Sequence, residues 1–218
     1  MKFRNAARGV RTIFMAEKFE LTTALIMAAM VIAVQFARIT ETYGYSAETD
    51  ALRIESIGLM MIGGVIAVIG FIFAVQGTQD ASRNEPVFRN TLPWLIVGIV
   101  GILAGCTLKT IGTHAFSFCF TLGRIGNVMA AYYVLTGIAN LADQIPDAET
   151  KALALKSRTL VEGSFCLTVI FKLIINIFNI QNGYTIYTIL AVVAMLLELV
   201  SYILYLRALS KGKKMLAK

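Results

Sequence analysis

Three ionisable residues stand inside hydrophobic stretches of this chain: Arg124, Lys172 and Glu198. Each is a candidate for chemistry, because a charge at hydrocarbon depth costs about 3 kcal/mol unless a partner, water or ligand offsets it. Each also belongs to a stripe. Ser117, Thr121, Arg124 and Asn127 recur at three- and four-residue spacing, and Ser164, Thr168, Lys172 and Asn176 repeat every four residues, with Asn179 continuing the line. Such spacing puts each set on one helix face. Around Glu198 runs a mixed stripe of Tyr184, Thr188, Ala191, Met195, Tyr202 and Tyr205, in which Glu198 is the one charge.

Polar faces of this kind turn away from lipid, toward one another, a wet cavity or a protein partner. Depth along the helices, at about 1.5 Å per residue, predicts a Lys172–Glu198 pair. It leaves Arg124 short of a carboxylate, since Glu55 falls near one membrane surface and Glu162 near the other. The expected site is therefore Arg124, Lys172, Asn127 and Asn176 around an anionic or zwitterionic solute or a lipid headgroup, with Glu198 as counter-charge. The competing expectation is a structural ion network that holds three helices in register, with a partner subunit covering the polar faces as a further alternative.

The surrounding composition sets what can position these residues. The 218-residue chain is 57% hydrophobic and 15% charged, with a mean hydropathy of +0.73, outside the balance of a soluble domain. An all-α integral membrane protein of six spans is predicted, each needing about 20 apolar residues. The spans run at about 21–39, 55–76, 92–108, 115–141, 159–179 and 184–206. Pro93 falls in a first helical turn and Pro86 and Pro146 in loops, so no helix interior is expected to kink. The polar stretches 38–53, 77–91 and 143–158 read as loops.

Residues 1–20 form a basic amphipathic segment, with Phe3, Ala7, Val10 and Phe14 on one face and Arg4, Arg8, Arg11 and Lys18 on another. The expectation is an interfacial helix on anionic inner-leaflet lipid, the alternative being a helix that docks a partner. Residues 21–207 make the single transmembrane domain, and 208–218 a basic cytoplasmic tail. With the N-terminus inside, fifteen Lys and Arg fall in cytoplasmic segments and three, Arg38, Arg53 and Lys109, outside. That bias predicts a multi-pass plasma-membrane protein with both termini cytoplasmic. The net charge of +7 thus reads as topology and lipid attraction, not nucleic-acid binding.

Small residues mark a second kind of face. Gly63, Ala67, Gly70, Ala74 and Gly77 run down the second segment, and Gly101 with Gly105 makes a GxxxG in the third. Backbones approach closely over such faces in lipid, so these two helices are expected to pack on each other.

Catalytic signatures are not found. The sequence holds no GxxxxGK[ST], HExxH or GxSxG, its lone His114 lies in a short turn, and Cys106, Cys119 and Cys166 form no CxxC. A non-enzymatic protein without metal or cofactor is expected, its partners being the bilayer, a small-molecule ligand or another subunit.

Overall fold

The computed structural model describes residues 3–42, 46–108, 113–177 and 184–217, with side chains at 3–35, 58–104, 118–171, 189–190 and 192–217. Every described element is helical: α1 (Arg4–Thr42), α2 (Ser46–Ser82), a 3-10 turn (Pro86–Asn90), α3 (Thr91–Leu108), α4 (Thr113–Gln144), α5 (Ala148–Ile177) and α6 (Tyr184–Leu216). Four described stretches are long and apolar enough to cross a membrane: Gly58–Ser82, Pro86–Ala104, Phe118–Gln144 and Val192–Leu216. The predicted first and fifth spans run into residues whose side chains lie outside the described set, as do Gly105, Cys106, His114, Ser117, Lys172 and Asn176.

The helices are longer than the spans they contain. α1 has 39 residues and α6 has 33, about 50 to 60 Å at 1.5 Å per residue, against a hydrocarbon thickness of about 30 Å. The stretches 77–91 and 143–158, read as loops from their polarity, are accordingly mostly helix. α2 continues to Ser82, and α5 begins at Ala148. Polarity marked where the apolar spans end, but the hydrogen-bonded backbone runs on past them.

Two compact units divide the chain: Met1–Arg11 with Gly77–Lys218, and Thr12–Gln76. In the first, the packed core draws on residues from several helices. Val134, Leu135, Ile138 and Leu141 of α4 are buried, with Phe88, Ala154 of α5, Leu209 of α6 and Val10 of α1. Large apolar side chains such as Ile96, Val100, Leu103, Met195 and Leu199 are instead exposed, as a lipid-facing surface requires.

This core corrects the expectations for both chain ends. Residues 4–20 are not a separate interfacial helix but the start of continuous α1. Ala6, Val10, Ile13 and Ala16 are buried, so the face that is covered shares only Val10 with the predicted apolar face, whose Phe3, Ala7 and Phe14 are half-buried. Gly9 lies so close to α2 that a Cβ there would sit 2.7 Å from Ala81 Cβ. Arg8 pairs with Asp80 at 3.1 Å, and the first-turn Ala6 N–H, unpaired within its own helix, donates to Asn84 Oδ1 at 2.8 Å. From 208 to Leu216 the chain is likewise helix rather than tail. Gly212 rests on Ile138 of α4, and Lys211 pairs with Glu149 at the start of α5. Phe3 and Arg4 share a cavity of about 700 Å³ with Gln144, Asp147, Met215 and Leu216, so the two chain ends and the α4–α5 turn lie at the same end of this unit.

Local chemistry fixes the turns at that end. Asp147 caps α5, accepting from Thr150 N and from Thr150 Oγ1, both at 3.0 Å. Between α2 and α3, Glu85 is buried and accepts from Asn140 Nδ2 at 3.1 Å and Gln144 Nε2 at 3.0 Å. Beside it, the fully buried Phe88 fills the notch left by Gly137.

Glycines serve close helix approach within each unit. α3 lies on α4, where a Cβ on Gly126 would sit 2.7 Å from Gly98 Cα and one on Gly101 the same distance from Gly123 Cα. Within the second unit, α2 lies on α1: Gly63 against Ile26 and Met27, and Gly70 against Phe19, whose ring stacks on Phe73 with centroids 5.5 Å apart. α4 offers Gly123 and Gly126 to α3, a match its own sequence held but the GxxxG pattern did not single out.

Candidate functional site

α4 is two-sided, and that arrangement sets the site. Its glycines take up the α3 side, while Arg124, one position after Gly123, is carried round to α5 and α6. Its Nη2 donates to Glu198 Oε1 of α6, forming an ion pair. The guanidinium lies over the Phe165 ring of α5, with Cζ 5.9 Å from the centroid. Thr168 of α5 places its hydroxyl 2.9 Å from the same Oε1 and 2.9 Å from the Ser164 carbonyl. Three helices thus meet at one carboxylate oxygen.

Below the pair, α5 and α6 are joined reciprocally. Ser157 Oγ donates within reach of the Leu204 carbonyl at 3.1 Å, and Ser201 Oγ within reach of the Leu160 carbonyl at 3.1 Å. Each hydroxyl also lies 2.8 Å from a carbonyl of its own helix, so one proton serves two acceptors and neither helix gives up a backbone bond. The predicted polar faces of α5 and α6 do therefore meet at Thr168 and Glu198.

The pair found is not the one predicted, whose Lys172 side chain lies outside the described residues. Glu198 joins Arg124, which was expected to lack a carboxylate. Counting residues gave the depth of each Cα; the long Arg stem moves its charge along the helix axis and closes the offset. Asn127 also departs from the expected site. Its Oδ1 lies against Gly98 of α3, on the side of α4 away from Glu198. Lys172 and Asn176 fall in the last turns of α5, with side chains outside the described residues.

The open sides of the pair are chemically specific. Only Oε1 of Glu198 and Nη2 of Arg124 take part in it. Oε2, Nε and Nη1 form no hydrogen bond among the described residues. Side-chain exposure is 26% for Arg124 and 41% for Glu198, so the pair is partly open.

A second set of polar groups lies further along the α4–α5 seam. Arg158 covers the Tyr132 ring at 5.1 Å and donates to Thr136 Oγ1 at 3.3 Å. Glu162, between Arg158 and Phe165 on α5, has a buried Oε1 with no hydrogen-bond partner. Phe165, Ser157 and Ser201 escaped the sequence-based site because neither a lone aromatic nor a lone serine stands out in an apolar segment. For Glu85, Asn140 and Gln144 there was a signal: two amides four residues apart share a helix face. Their common acceptor was distant in sequence.

Among the described residues no group of three His, Cys, Asp or Glu side chains is gathered as a metal site would need. No protein-family model, curated protein sequence or solved structure matches the chain.

Proposed function

We propose that this chain is a six-span, multi-pass component of the plasma membrane that binds, or helps to transport, a small anionic or zwitterionic solute, with no catalytic activity of its own. The observation that carries the proposal is the Arg124–Glu198 pair, held among α4, α5 and α6 with 26% and 41% of its side chains open. Hydrocarbon cannot satisfy the spare acceptor and donors, so they call for water, a solute or a covering protein. The revised site is Arg124, Thr168 and Glu198, backed by Phe165.

Cytoplasmic termini are supported by the fifteen-to-three distribution of Lys and Arg and by the common location of both chain ends and the α4–α5 turn. Arg4, Arg11, Lys213 and Lys214 at that end would draw anionic inner-leaflet lipid. One observation favours a second reading. The reciprocal serine bonds also suit a scaffold or regulatory subunit whose α4–α6 seam is purely structural, the open side of Glu198 then lying against a partner protein.

A thermal-shift screen of the detergent-solubilised chain against anionic and zwitterionic metabolites, run beside Arg124→Gln, tests the proposal. A compound that raises the melting temperature of the parent chain and not of the variant is the expected result. A flat screen with an early-melting variant would support the scaffold.

A further inference from the structure

Building on the solute-site reading, we infer that the ligand is a zwitterion carrying a primary ammonium and an anionic carboxylate or phosphate, and that net anions are rejected. The ion pair is monodentate. Among the described residues Glu198 Oε2 remains as an acceptor, and Arg124 Nε and Nη1 remain as donors on different edges of the guanidinium. A carboxylate or phosphate can accept a charge-assisted hydrogen bond from Nε or from Nη1, while an ammonium donates to Oε2.

Charge balance separates the ligand classes. The pair is neutral as a unit. A net anion drawn to Arg124 competes with Glu198 for the guanidinium and leaves a carboxylate uncompensated at membrane depth. A net cation on Glu198 strands the arginine in the same way. A zwitterion replaces both halves together and keeps the site neutral throughout.

The surroundings fit such an exchange. Phe165 supports the guanidinium by its ring face at 5.9 Å, and the Thr168 hydroxyl reaches Oε1 at 2.9 Å. Each partner therefore keeps a protein contact when the pair opens. The more exposed member is Glu198, at 41% against 26% for Arg124, so the ammonium is the end that engages first. Free amino-acid-like solutes and ethanolamine-phospholipid headgroups share this chemistry.

Titration calorimetry on the intact purified chain in a neutral detergent tests the inference, with no variant required to fold. The probes are β-alanine and glycerophosphoethanolamine, whose phosphodiester carries a single negative charge, set against propionate, propylamine and propionamide, which lack one or both charges. The same chain in nanodiscs of phosphatidylethanolamine, phosphatidylcholine or phosphatidylglycerol reports on lipid through its melting temperature. The expected result is binding of a zwitterion at least about tenfold tighter than any single-charge analogue. Stabilisation in phosphatidylethanolamine alone, without binding of free probes, would keep the zwitterion and assign its source to lipid. Propionate binding as tightly as β-alanine would overturn the zwitterion while leaving a solute site. Silence from every probe and lipid would overturn the solute site as well.

Discussion

Arg124 of α4 and Glu198 of α6 are joined through one guanidinium nitrogen and one carboxylate oxygen, although 74 residues separate them in sequence. That single link ties α4 to α6, and Thr168 brings α5 to the same oxygen. Its strength is intermediate between a surface pair and a fully enclosed one, given the partial exposure of both side chains.

Arg124→Gln and Glu198→Gln are each expected to destabilise the chain by about 2 kcal/mol, because each leaves a lone charge at membrane depth. The double substitution should cost less than the two added together. A double-mutant cycle from unfolding in mixed micelles checks this; strict additivity would mean the pair is not coupled in the folded protein.

Close approach of α3 and α4 sets a second expectation. Gly126→Ala brings a methyl group 2.7 Å from Gly98 Cα and should cost at least about 2 kcal/mol by forcing the helices apart. Nothing lies within 4 Å of a Cβ on Gly163, where alanine should instead add up to about 1 kcal/mol of helix propensity. Melting temperatures moving in opposite directions would show the effect; a shared direction would contradict the helix pairing.

The turn between α2 and α3 is held by one buried carboxylate. Glu85→Leu leaves the Asn140 and Gln144 amides without their acceptor, an expected loss of about 2 kcal/mol. Trypsin cleavage after Arg83 or Arg89 should accelerate in this variant. Cleavage at the parent rate would mean that Phe88 alone holds the turn.

Smaller effects are expected at the α5–α6 seam. Ser157→Ala and Ser201→Ala each remove one interhelical donor, while the Leu204 and Leu160 carbonyls keep their helical bonds. About 0.6 kcal/mol each is expected from unfolding in mixed micelles. A loss as large as that at Arg124 would move the main tie between α5 and α6 to the serines.

Hydropathy made the all-α membrane class legible in the sequence, and helical spacing placed Ser164, Thr168 and Glu198 on polar faces that meet. What spacing does not encode is which neighbour a face meets. Asn127 follows Arg124 by three residues, yet α4 has neighbours on two sides, and Asn127 goes with Gly98. Counting residues also left Arg124 without a carboxylate, because a Cα position ignores the reach of a long side chain. The chain ends misled for a related reason. Val10 and Ala208 are buried in a core built from segments far apart in sequence, and an amphipathic pattern reads the same whether protein or lipid covers it.

The central claim is that the Arg124–Glu198 pair is a binding site and not only a structural tie. The most direct measurement is β-alanine binding to the double variant Arg124→Gln/Glu198→Gln, whose two amides can bond each other without leaving a charge. The expected result is a folded protein, with a melting temperature near the parent's, that no longer binds the probe. Undiminished binding by the folded double variant would place the ligand elsewhere and contradict the claim.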